Sequence, residues 1–206
     1  MPTARKHIPP LFPAMYFPPI VFWMVWKRHR RMAVETADHY QKGTYRNRMH
    51  IASANGFSRL SVPLLKGKNQ HSPMATTAID YRQDWRRHHF RALHTAYGKS
   101  PFFDHYADEL MAFYEREYAS LLELNLASIR LVHTWLLPEY PLSLTDHFRR
   151  DYPPALDFRD KMKANRELNI SFAPYVQVFA SMAGFVPNLT ILDLIFCTGP
   201  EALRYL

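Results

Sequence analysis

Asp193 sits inside an otherwise apolar run, Leu189-Thr190-Ile191-Leu192-Asp193-Leu194-Ile195-Phe196. A carboxylate placed there must be hydrogen-bonded, paired or put to chemical use, because burying it unmet is costly. An Arg, a Tyr hydroxyl or backbone amides are therefore expected around it, either to tie down a loop or to serve a site. The densest polar group elsewhere is Tyr45-Arg46-Asn47-Arg48, where a guanidinium suits bidentate capture of a carboxylate or phosphate. Arg48 is equally suited to pairing with Asp193, and the two are expected in contact. His88 and His89 are adjacent, and neighbours on a helix diverge by about 100°, so one buried and one exposed imidazole is expected rather than a shared metal. Cys197, the single cysteine, falls in the apolar C-terminal helix and reads as a packed thiol, not a nucleophile.

The elements that must hold these groups follow from pattern. Leu11 to Ala14 reads as a strand after a polar, disordered tail over residues 1–10, and Pro18-Pro19 start a helix to about Arg30. Met32 to Thr36 is a second strand. Tyr45 to Ala52 and Phe57 to Leu65 flank Asn55-Gly56, which predicts a hairpin with a type I′ turn. A polar loop is expected over Gly67 to Pro73 and a strand over Thr76 to Asp80. Three helices then follow over Asp84 to Tyr97, Pro101 to Glu117 and Tyr118 to Leu137, with Phe103, Tyr106, Leu110, Phe113 and Tyr114 at helical core spacing. Pro138 to Leu168 reads as an irregular connection and Phe172 to Phe179 as a buried strand. The last helix is expected from Asn188 as N-cap to Gly199 as stop, with Pro200 opening a short helix. The whole predicts one α/β (α+β) domain over residues 11–206, with a mixed sheet, a β-hairpin and a central group of three helices.

At 206 residues the chain can bury a core without staples, and one cysteine suits a reducing compartment, so a cytoplasmic protein is expected. The net charge of +8 favours anionic partners. The basic cluster Lys27-Arg28-His29-Arg30-Arg31 follows an apolar stretch, Phe17 to Trp26, that is about half the ~20 residues a spanning helix needs, which leaves room for peripheral membrane contact only. A signal peptide would carry its charges ahead of the apolar run. No Gly-rich phosphate loop, Cys/His metal spacing or Gly-x-Ser-x-Gly elbow occurs, so no metal and no cofactor is expected. The aromatics keep core periodicity, which argues against nucleic acid.

In succession, Tyr16-Phe17-Pro18, Tyr45-Arg46-Asn47-Arg48, Trp85 with His88, Asn125, Tyr175-Val176-Gln177-Val178-Phe179 and the run from Asn188 to Leu194 with Gly199-Pro200 resemble the WbqC-like protein family. The chain looks like a shorter branch of it. Phe12-Pro13-Ala14 stands where members carry His-Gln-Pro, and the Pro138 to Leu168 segment replaces a Gly/Ser-containing stretch. The resemblance implies an aminoacyl (glycyl) or acyl transferase modifying an amino sugar in bacterial surface polysaccharide (O-antigen) biosynthesis, the partner being a nucleotide-linked amino sugar or another anionic small molecule. In that reading His88 is the base, Arg48 or Asn47 is the oxyanion donor and Asp193 orients one of them; Tyr16, Asn47, Arg48, Gln177 and Asn188 bind substrate, and Tyr16, Asn47, Arg48, His88, Gln177 and Asp193 are expected to line one concave pocket. The competing reading is a non-catalytic binding or assembly module for anionic glycan intermediates or an acidic partner.

Overall fold

The computed structural model describes residues 8–65, 72–162 and 170–206. Strand β1 (Leu11–Pro13) leads through Tyr16-Phe17-Pro18-Pro19 into helix α1 (Ile20–His29), which returns to β2 (Met32–Glu35) parallel to β1. Helix α1 buries Ile20, Val21, Phe22, Trp23 and Trp26, and the two indoles stack at 5.4 Å. Its apolar length is thus spent on the protein core. Among the described residues no helix is long and apolar enough to cross a membrane.

A hairpin follows, β3 (Arg48–Ser53) against β4 (Gly56–Ser61). Its turn differs from the type I′ expectation: Ser53 pairs with Gly56, and Gly56 has φ 100° whereas Asn55 is not among the positive-φ residues. The left-handed position is the one that follows the turn, where glycine carries no Cβ penalty. Helices α2 (Trp85–Tyr97), α3 (Phe103–Glu115) and α4 (Leu121–Leu136) form the expected helical group. Their aromatic stripe is core, with Phe103, Tyr106, Leu110, Phe113 and Tyr114 all buried. A Ser120 N-cap, whose Oγ accepts from Glu123 N–H while Glu123 caps Ala119 N–H, starts α4.

Strand β5 (Leu142–Leu144) then pairs parallel with β2, making the order β1-β2-β5. The fold is a single α/β domain with parallel and antiparallel pairings, the latter in the hairpin. Three expectations need correction. The segment 138–168, read as irregular, contributes β5, a three-residue, largely exposed edge strand with no apolar run to betray it. Thr76 to Asp80 is no strand: a 3₁₀ turn over Met74–Thr76 leads to one bridge, Leu64 with Ile79, beside Pro63, which has no N–H to extend a ladder. Phe172 to Phe179 has strand-like alternation without a pairing partner, and its inward side chains are held by side-chain bonds instead. Of the expected tail, residues 1–7 lie outside the described residues, while the Pro10 carbonyl accepts from Ala33 N–H at 2.9 Å. Most of the predicted polar loop, residues 67–71, also lies outside them.

After the short α5 (Ala180–Ala183), helix α6 (Ile191–Thr198) ends at Gly199, and α7 (Ala202–Tyr205) closes the chain. Gly199 has φ 53°, and a Cβ there would collide with the Phe102 ring, so both backbone and packing demand glycine. The chain start and end meet at one joint. Ile20 N–H bonds Leu189 O, Ile191 N–H bonds Pro18 O, and Thr190 Oγ1 donates to Phe17 O. Phe17 itself is held at φ 39°, a strained value for a bulky residue, by Ser128 Oγ on its N–H and Thr190 on its carbonyl.

Candidate functional site

Asp193 lies in the first turn of α6 and is completely buried. Its Oδ2 accepts from the Tyr175 hydroxyl and, at 2.9 Å, from Gln177 Nε2, while Tyr97 faces the carboxylate as a further donor. Oδ1 has no partner at hydrogen-bonding distance among the described residues. Burial raises the carboxyl pKa, and these three side chains pull it back. Gln177 also closes a loop as a backbone mimic, donating to Val186 O at 2.9 Å and accepting from Val186 N–H at 2.8 Å. Tyr97 in turn accepts from Ala52 N–H at 2.8 Å, which fixes the outer edge of β3. Cys197, nearby, has its thiol pushed up to about 12 by burial and by the Asp193 charge, so it is no nucleophile at neutral pH.

A second buried polar chain runs through Tyr16. Its hydroxyl lies 3.0 Å from His89 Nδ1 and 2.7 Å from the Tyr114 hydroxyl. Burial pushes His89 down to about 4, opposed by a backbone hydrogen bond at Ser61 and reinforced by His88, so the ring is neutral at pH 7. Tyr16 and Tyr114 are both raised, chiefly by burial, and remain protonated.

The hairpin carries the third group. Arg48, His50, Phe57 and Arg59 share one face, because His50 pairs with Arg59 and Arg48 with Ser61 across the antiparallel register. His50 stacks on Phe57 at 4.5 Å, and Tyr45 meets it edge-on at 5.4 Å. Burial lowers the Arg48 pKa and the Arg59 charge lowers it further, with Tyr40 opposing. The same causes, burial first and then Arg48 and Arg59, take His50 down to about 4. No carboxylate among the described residues pairs with Arg48 or Arg59, and Arg48 Nε is buried without a partner. Arg59 continues into a cleft of about 290 Å³ between β4 and the start of α2, lined also by Ser61, Asp84, Trp85, His88 and His89.

The structure brings Gln177 and Asp193 together, as expected for one site, but turns both inward. Arg48 is not a partner of Asp193; the tyrosine alternative is the one realised, because α6 buries its carboxylate against Tyr175 and Tyr97 while Arg48 stands on the hairpin face. His88 is exposed on the cleft and His89 buried, so the expected split holds. The cleft that His88 lines contains none of Tyr16, Asn47, Arg48, Gln177 and Asp193, which corrects the single shared pocket. Asn47 spends its amide on Val62 O at 3.0 Å. Asn188 does not cap its own helix: at φ 56° it reaches across the joint, and its Oδ1 accepts from Val21 N–H at 3.0 Å, capping α1, whereas Thr190 precedes α6. Arg46, from the same polar quartet as Arg48, is consumed by a buried ion pair with Asp38. Asn125 ties the Ala14 and Arg46 carbonyls at 3.0 and 2.7 Å. Sequence reasoning gave His89, Tyr114 and Tyr175 no part in a site and did not single out Arg59. Only the hairpin register could have pointed to Arg59, as the residue opposite His50.

The molecule is a single-domain α/β protein in which residues 17–21 and 188–191 join α1 to α6. It belongs to the WbqC-like protein family, whose model matches residues 14–152. A similar protein is the uncharacterized Rv1507c of Mycobacterium tuberculosis (strain ATCC 25618 / H37Rv), 29% identical over 200 residues, covering 81% of this chain and 83% of that one. No solved structure matches significantly.

Proposed function

We propose that the chain is an aminoacyl (glycyl) or acyl transferase that modifies a nucleotide-linked amino sugar for bacterial surface polysaccharide. The observation that carries the anionic substrate is the pair Arg48 and Arg59, on one hairpin face with no carboxylate paired to either among the described residues and continued by Arg59 into the His88 cleft. Two guanidiniums so placed favour a diphosphate, and the exposed Phe57 ring beside them offers a stacking surface for a base. In the reaction the sugar amine attacks the carbonyl of an activated donor, His88 takes the amine proton, and Arg59 steadies the developing oxyanion until the donor's leaving group departs. Asp193 has no part in that step.

The second reading, a non-catalytic module binding the same class of ligand, is favoured by one observation: His89 and Asp193 are both consumed by internal partners, which leaves His88 exposed on an open cleft. Titration calorimetry with a uridine-diphosphate amino sugar, followed by mass spectrometry after addition of activated glycine or an acyl thioester, separates the two. Acylated sugar that disappears in His88→Ala supports the transferase. Binding without turnover across donors supports the module, and absence of binding removes both.

A further inference from the structure

Tyr175 and Gln177 reach down onto Asp193, while Val176 between them and Val178, in the turn that enters α5, are exposed. Val176 is 85% exposed and Met182, on the single turn of α5, 72% exposed. The loop is not loose: Gln177 bonds both backbone groups of Val186, so the apolar tips are held out on a closed base. A clamp of buried polar groups that presents apolar side chains to solvent calls for something to cover them. The bordering surface is cationic. The Tyr175 ring contacts the Tyr205 ring at 5.6 Å, and α7 exposes Leu203, whose carbonyl accepts from Lys27 Nζ. Lys27 opens the basic run Lys27-Arg28-His29-Arg30-Arg31 at the end of α1, and Glu201, just before α7, is neutralised by Arg204 on that helix.

We propose that this surface docks the protein on an anionic lipid bilayer, with Val176, Val178 and Met182 entering the boundary between headgroups and acyl chains and the end of α1 meeting lipid phosphates. The combination supplies the two signals that stable peripheral attachment needs, an apolar insertion and a polybasic patch. A bilayer fits better than a protein partner because the apolar residues form separate tips on a loop and one helical turn, which require no matching groove, and because a chain of charge +8 is complementary to an anionic surface.

The test is co-sedimentation of the full chain with vesicles of phosphatidylcholine alone and of phosphatidylcholine mixed with phosphatidylglycerol, together with sedimentation velocity without lipid. The expected result is binding to the anionic vesicles only. Arg28→Glu should weaken it on the order of fivefold or more, and Val176→Ser/Met182→Ser about tenfold or more. All three side chains are exposed, so thermal unfolding should not change. Three results would overturn the proposal: no binding to either vesicle, binding that the double serine variant leaves intact (adsorption by charge alone), or a lipid-free dimer that this variant dissolves, which would make a second copy the occupant.

Discussion

The Asp193 cluster and the hairpin face are both rich in groups able to do chemistry, yet they are built on opposite principles. Around Asp193 the polar atoms point inward: Tyr175, Gln177 and Tyr97 converge on one carboxylate, and the assembly joins the 175–186 loop, α6 and β3. On the hairpin, Arg48 and Arg59 share a face with no acid paired to either among the described residues, and they add to the burial that depresses the basicity of His50. A polar group met from within stabilises the fold, whereas one left facing its own sign at the surface destabilises the free protein and becomes favourable when a ligand arrives. Position in the sequence gives no hint of this division, since Arg46 and Arg48 are two residues apart and fall on opposite sides of it.

The largest effects should come from breaking the inward-facing clusters. Because His89 titrates near 4 when folded against an ordinary value of 6.5, its folded pKa is depressed. The neutral ring therefore contributes stability that is present above about pH 6.5 and lost as pH falls toward 4, on the order of 3 kcal/mol. Wild-type protein should show that acid loss in chemical denaturation across pH 4 to 7 (about this window), together with the loss from His50, which is depressed to about 4 as well, and His89→Gln should retain only the His50 part. A wild-type stability independent of pH there would contradict the buried neutral imidazole.

Asp193→Ala strips Tyr175 and Gln177 of their acceptor and should cost about 3 kcal/mol, lowering the thermal midpoint by roughly 6–12 °C. The carboxyl shift has the opposite sign to that of His89. With its folded pKa raised, Asp193 favours the fold while protonated, and this contribution is lost as pH rises through the folded value. Asp193→Asn should accordingly gain on wild type as pH is raised, which paired urea titrations at acid and neutral pH would detect.

On the hairpin the expected loss is in binding. Arg48→Ala should leave the thermal midpoint within about 2 °C of wild type or slightly above it, because it removes a like-charge contact, yet weaken a nucleotide-sugar ligand by about 10- to 100-fold. If calorimetry shows unchanged affinity while the protein unfolds earlier, Arg48 is structural and the contrast between the two regions fails. The smallest effect belongs to Cys197→Ala, expected to cost about 1 kcal/mol of packing and no activity. Native protein should react slowly with iodoacetamide at neutral pH, as a thiol raised to about 12 requires.

The sequence by itself determined the elements with strong periodicity or punctuation. Proline before α1, the apolar stripe of α3 and Gly199 after α6 each impose a local constraint that tertiary contacts do not need to supply. It also determined that Asp193 needs donors, that Cys197 is inert and that one of the two adjacent histidines is buried, because burial energetics follow from residue type and helical phase. Only the tertiary structure decided which donors arrive. Tyr97 and Asp193 stand 96 positions apart yet meet, as Tyr16 and Tyr114 do across 98, and such pairings depend on where α2, α3 and α6 pack, which no local pattern encodes. The same holds for β5, whose three residues become a strand because β2 offers an open edge, and for Asn188, which reads as the cap of the helix that follows it but caps the one that starts 168 residues earlier, at Ile20. Side-chain hydrogen bonds are satisfied in space, and a chain folded back on itself brings its nearest donors from far along the sequence.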